Sequence, residues 1–235
     1  MKKINLFIIL LLAIFTLTSC ANNKKEDEGK LNKEEETKFL EIINTPLENY
    51  TCDYLNHCVI TAGDQTMTSD IVYLMKVNKD KVYMNISTEN EVLLSAYYEK
   101  SDEELDVWAN VGDGWSKNSV DLDELDMPNM IPAGTVEAGD FKKEDGVWVG
   151  NVEKLNDKLK DLIFESLESM GITEDVKFTL ESYKITIEND QVAKVEMDLS
   201  FSMITQGVAM DVVANYTLTF TDHNKTQVIK PEGIE

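Results

Sequence analysis

The chain has 235 residues and a formal charge of −22, with 44 acidic residues against 22 lysines, no arginine, two histidines and three cysteines. Its length and its 43% of hydrophobic residues can supply a core, so it is not a disordered polymer. The acid excess excludes nucleic acid as a partner, because binding phosphates takes clustered cations, and two histidines leave little for triads or imidazole metal sites; the chain is read as non-catalytic, without a cofactor or metal.

Met1-Lys2-Lys3 is a short positive stretch, Ile4 to Leu17 is nearly all apolar, and Leu17-Thr18-Ser19-Cys20 closes the run. The run is shorter than the ~20 residues of a membrane span and ends in small residues, as a processed export signal does. Leu-Thr-Ser-Cys resembles the lipobox of bacterial lipoproteins, which implies cleavage after residue 19 and acylation of Cys20. Residues 1–19 are then the signal peptide. Residues 20–32 are a lipidated N-terminus and polar tether, containing Lys24-Lys25-Glu26-Asp27-Glu28. Residues 33–235 form a single folded domain. Two or three acyl chains hold a protein firmly, at ~0.8 kcal/mol per buried CH₂. The expected location is therefore the extracytoplasmic face of the cell membrane, with the membrane itself as a partner through Cys20.

Phe39, Leu40, Ile42 and Ile43 recur at helical spacing behind Glu34-Glu35-Glu36, which predicts a helix over 32–44, ended by Pro46. From Cys58 to Val120 the pattern turns to β-rich runs at 66–78, 81–88, 91–99, 105–111 and 115–120, an antiparallel meander punctuated by turns such as Gly112-Asp113-Gly114. Asp121–Gly139, with Pro128, Pro132 and Gly134, reads as a long loop. After a short strand at 147–149, Asn151 can cap a helix carrying Val152, Leu155, Leu159, Leu162, Ile163 and Met170, closed by Gly171. Val176, Phe178 and Leu180 share a parity that switches at Tyr183, Ile185 and Ile187, which predicts a bulge near Ser182. Two long runs then alternate apolar and polar residues, over 193–203 and 208–220.

About eight strands at ~4.8 Å span roughly 38 Å, whereas one helix covers ~10–12 Å. The fold class is therefore α+β, a curved antiparallel sheet, or half-barrel, packed on two helices. Val82-Tyr83-Met84, Tyr97-Tyr98-Glu99-Lys100 and Val111-Gly112-Asp113-Gly114-Trp115-Ser116-Lys117 resemble, in architecture and order over most of 33–231, the half-barrel lipoproteins related to the LolA/LolB lipoprotein carriers and the mycobacterial lipid-carrier lipoproteins. The resemblance implies a hollow able to take lipid or acyl chains. Carriers of lipoproteins in that group use an arginine in handling cargo, and this chain has none.

The candidate hydrophobic pocket comprises Tyr73, Met75, Met84, Val195, Met197, Leu199, Phe201, Met203, Met210 and Val212, since methionines adapt to varied apolar ligands; an ordinary core filled by the two helices is the other reading. Cys52 and Cys58 flank Asp53-Tyr54-Leu55-Asn56-His57 and are expected either to form a disulfide, as exported chains permit, or to stay as thiols. Asp121, Asp123, Glu124 and Asp126 lack the glycine turn and distal glutamate of a calcium loop and read as solvated. The expected function is binding of a lipid or other hydrophobic ligand. The alternative is an interaction lipoprotein presenting its acidic face to another envelope protein.

Overall fold

The structure is a computed structural model, and it describes residues 33–100, 104–121, 136–169, 176–205 and 208–234. The expected export signal, Cys20, the expected tether and most of the expected 121–139 loop lie outside the described residues. The rest is dominated by one open, fully antiparallel sheet of eleven strands, in the order β6-β5-β4-β3-β2-β1-β11-β10-β9-β8-β7. The strands are β1 Asn49–Ala62, β2 Gln65–Asn78, β3 Lys81–Ser87, β4 Val92–Lys100, β5 Glu104–Asn110, β6 Trp115–Asp121, β7 Phe141–Glu144, β8 Val147–Gly150, β9 Lys177–Glu188, β10 Gln191–Thr205 and β11 Val208–Thr221. Two meanders, β1–β6 and β7–β11, are thus joined where the first strand pairs with the last, Thr51 opposite Thr221 and Ala62 opposite Met210. Eleven strands stand where nine runs were read. The additions include β1, which the cysteine-flanked segment had concealed, and β7, which pairs with β8 through Asp145-Gly146, both at positive φ (49° and 87°) as a two-residue hairpin turn requires.

The predicted parity switch in β9 is a bulge. Ser182 faces Asp198 while Leu180 faces Leu199, so Glu181 is the extra residue, and a second shift follows between Val192 and Lys194. The backbone N–H of Leu180, beside the bulge, donates to Asn156 Oδ1 at 2.8 Å, so a helix side chain satisfies a donor next to the disturbed ladder.

Helix α1 (Lys33–Asn44) carries Glu34–Glu36 in its first turn and buries Phe39 and Ile43. Phe39 stacks on Trp148 at 4.0 Å between ring centroids and meets Phe141 edge-on at 5.1 Å. Helix α2 (Val152–Ser169) starts where predicted, with Asn151 Oδ1 accepting the N–H of Lys154. Its Leu155 and Leu159 are buried, and Leu155 lies so close to Gly150 that a Cβ there would meet Leu155 Cδ1 at 2.4 Å. Lys158 forms an ion pair with buried Asp140, which caps the short 3-10 turn Ala138–Asp140. The main helix contacts with the sheet fall on β9 for α2 and on β10 for α1.

After β11 the chain crosses the opposite face. Thr226 is buried there: its hydroxyl lies 3.0 Å from that of Thr51, its N–H donates to Asn49 Oδ1, and its carbonyl accepts from Asn49 and Asn78. Further on, the Lys230 ammonium sits 4.5 Å from the centre of the Trp108 ring, itself packed on Tyr97. The C-terminal segment is a strap from β1 to β5 on the outer face.

Candidate functional site

The two faces of the sheet differ in chemistry. On β1 the residues Tyr50, Cys52, Tyr54, Asn56, Cys58 and Ile60 alternate inward and are buried. Register carries that face across the neighbours: Tyr54 lies opposite Tyr73, Cys52 opposite Met75, Met75 opposite Met84 and Ile60 opposite Val212. On β10, Val195, Met197, Leu199, Phe201 and Met203 continue it against Leu218, Tyr216, Ala214, Val212 and Met210. All ten residues of the predicted pocket therefore share one face, eight of them buried, with Met84 and Met210 half-buried. Met67, also on that face by register, is largely exposed near the β1–β2 turn.

The charged side chains of these strands are on the other face. On β1 to β3 these are Asp53, His57, Asp70, Lys76 and Lys81, and on β10 and β11 they are Lys194, Glu196, Asp198 and Asp211. Several pair there, His57 Nδ1 with Asp70 at 2.6 Å and Lys194 with Glu196 at 2.7 Å. Asp198 accepts hydrogen bonds from the Ser182 hydroxyl and the Asn215 amide, and these hold its carboxyl below its ordinary pKa.

The inner face has a tyrosine cluster at its middle. Tyr54 stacks on Tyr73 at 4.7 Å and lies 5.8 Å from Tyr216. Burial is the main cause pushing all three hydroxyls well above their usual pKa, with Tyr216 adding to it at Tyr73, Cys58 at Tyr216, and the other two tyrosines and both cysteines at Tyr54, so they stay protonated through the physiological range. Tyr73 OH, Asn56 Oδ1 and Tyr183 OH are buried and have no hydrogen-bond partner among the described residues. Such a group costs about 1–3 kcal/mol when left unpaired.

Tyr54, Asn56 and Tyr216 were not among the predicted site residues. The signal for the first two was the alternation Tyr50-Cys52-Tyr54-Asn56-Cys58-Ile60, masked by apolar Leu55 and Val59 between them. The expected disulfide is corrected by the same strand. Cys52 and Cys58 lie six residues apart along β1, roughly 20 Å at ~3.3 Å per residue, whereas a bridge needs Cα atoms within about 7 Å. No disulfide joins them. Burial raises the Cys58 thiol to about 11 and Cys52, with Asp53 adding, to about 12. Among the described residues no cluster of His, Cys, Asp or Glu could hold a metal ion, and no helix is long and apolar enough to cross a membrane.

No protein-family model matches the chain, and no curated protein does. Solved structures similar to it include a LolA superfamily protein from Nitrosomonas europaea, at 10% identity and a TM-score of 0.27, covering 86% of this chain and 96% of that one. A DUF1329 family protein from Desulfovibrio piger is similar at 8% identity and a TM-score of 0.26, covering 85% and 95%. The group that the sequence resembles is thus represented among the structural neighbours. At such TM-scores the likeness carries no weight for function, which has to be sought in the chemistry of the two faces of the sheet.

Proposed function

We propose that this chain is a lipid-anchored, extracytoplasmic lipoprotein whose sheet curls into a half-barrel and binds a lipid or similar apolar molecule on its inner face, without covalent chemistry. Eleven strands at ~4.8 Å make a sheet roughly 50 Å wide, and a helix covers ~10–12 Å of it. Curling around the helices and a ligand is the economical way to keep so broad an apolar face from water. The observation that carries the reading is the segregation itself: an inner face of methionine, tyrosine and aliphatic side chains, free of charge across β1, β2, β3, β10 and β11, with polar atoms unpaired in its interior. Cys20 would supply the anchor and residues 20–32 the spacer.

Native mass spectrometry of the full chain released from its own membrane tests this. A discrete non-covalent lipid adduct is expected, beyond the acyl chains on Cys20. Protein that carries none, and takes up none when offered, ends the proposal. The interaction reading draws on the outer face, where Leu55, Val72 and Val213 are 44%, 40% and 51% exposed; it gains if a partner protein rather than lipid co-purifies and substitutions at these three release it.

A further inference from the structure

Asn56 and Tyr73 are diagonal neighbours on the inner face. Asn56 lies opposite Ile71, two residues along β2 from Tyr73, a spacing at which cross-strand side chains stand about 7 Å apart. Both are more than nine-tenths buried, at 3% and 7% exposure, and Asn56 Oδ1 and Tyr73 OH both lack a partner among the described residues. We infer that these two side chains form a polar notch which selects a ligand with an uncharged hydroxyl head, of the monoacylglycerol or fatty-alcohol class, over one with an ionised head. This rests on the binding function proposed above and adds the class of ligand to it.

The atoms decide the class. An amide oxygen only accepts, whereas a phenol can both donate and accept. A ligand hydroxyl satisfies both at once, donating to Asn56 Oδ1 and accepting from Tyr73. A carboxylate or phosphate has no proton for the amide oxygen, and if the amide turned its N–H to it instead, the anion would lie buried on a face with no cation to pair with it. An ester carbonyl can answer Tyr73 alone. An ammonium could donate to Asn56, but it would bring a charge to a face that has none to pair with it on β1, β2, β3, β10 or β11. A buried, unpaired ion costs several kcal/mol. The surrounding titratable groups, Tyr54, Tyr216, Cys52 and Cys58, are held in their neutral forms by burial and supply no counter-charge.

The test uses the full chain in detergent, stripped of native lipid and offered monoolein, methyl oleate or oleate above the carboxylate pKa, with bound lipid counted by native mass spectrometry. All three share one chain and differ only in the head. Monoolein should bind about tenfold tighter than either competitor, the worth of one to two hydrogen bonds. Asn56→Leu removes the acceptor that only the hydroxyl head uses and should bring monoolein down to the level of methyl oleate, leaving methyl oleate unchanged. Tyr73→Phe keeps the ring and its stack on Tyr54 and should weaken monoolein and methyl oleate alike, by about fivefold, and it decides where Asn56→Leu does not fold. Equal binding of all three lipids, tighter binding of oleate, a folded Asn56→Leu variant that keeps the monoolein preference, or a Tyr73→Phe variant that binds monoolein and methyl oleate as the parent does overturns the notch while leaving apolar binding intact. Failure of every lipid to bind removes the proposed function itself.

Discussion

Tyr73→Phe separates a packed interior from one with an unfinished hydrogen bond. Tyr73 is 7% exposed and its hydroxyl has no partner among the described residues, so the lipid-free protein carries a desolvation cost of about 1–3 kcal/mol at this atom. Phenylalanine preserves the ring and the 4.7 Å stack on Tyr54, so no cavity opens and the cost disappears. The variant should therefore be more stable than the parent when stripped of lipid, the reverse of the usual outcome for a core substitution. For a chain of this size each kcal/mol shifts Tm by about 2–4 °C, so a rise of a few degrees is expected, with an unchanged urea m-value. With bound monoolein the order should invert, because the parent then gains a hydrogen bond that the variant lacks. A fall of about 1 kcal/mol in the lipid-free variant would show that the hydroxyl is already satisfied inside the fold and would refute the reasoning.

Gly150→Ala should cost about 1–3 kcal/mol in urea unfolding, since its Cβ would meet Leu155 Cδ1 at 2.4 Å and the Tyr183 carbonyl at 3.2 Å; adding Leu155→Ala should recover part of that loss, and additive effects would contradict the close approach. Thr226→Val should lower stability by about 1–2 kcal/mol, because the buried hydroxyl meets Thr51 and donates to the Asp222 carbonyl, whereas an unchanged midpoint would detach the strap from the fold. Asp198, whose carboxyl is held below its ordinary pKa of 3.8 by Ser182 and Asn215, contributes stability that is present above that value and lost as the pH falls through its lowered one; Asp198→Asn should flatten the acid limb of a stability-against-pH curve, and an unaltered limb would remove the assignment. Cys52 and Cys58, with thiols raised to about 12 and 11, should resist iodoacetamide at neutral pH while folded, and both should alkylate on unfolding without reductant; a disulfide-linked peptide would contradict the strand geometry.

The elements that could be read from residue order were those whose own alternation or capping decides their form. Strands 66–78 and 81–88, the Asn151 cap and the parity switch at Ser182 are local patterns, and they recur as β2, β3, the start of α2 and the β9 bulge. β1 escaped because Asn56 and two cysteines hold inward positions while Leu55 and Val59 face outward, so its hydrophobicity does not alternate cleanly. β7 has one inward apolar residue, Phe141, in four. The strap depends on Thr226 meeting Asn49 and Asn78, 177 and 148 residues away, a contact no local pattern encodes. For the candidate face, the methionines and aliphatics on β10 and β11 were evident from alternation, whereas the tyrosine cluster and its unpaired polar atoms arise only when β1 is placed between β11 and β2.

Binding of lipid by the inner face of the sheet can be tested directly. Cells making the full chain can be fed a fatty acid bearing a photoactivatable diazirine, illuminated, and the protein's adducts located by peptide mass spectrometry. Adducts on inner-face peptides of β2, β3, β10 and β11, at Met75, Met84, Met197 and Met210, are predicted. Adducts confined to the outer face around Leu55, Val72 and Val213, or to the peptide containing Cys20 alone, would contradict lipid binding by that face.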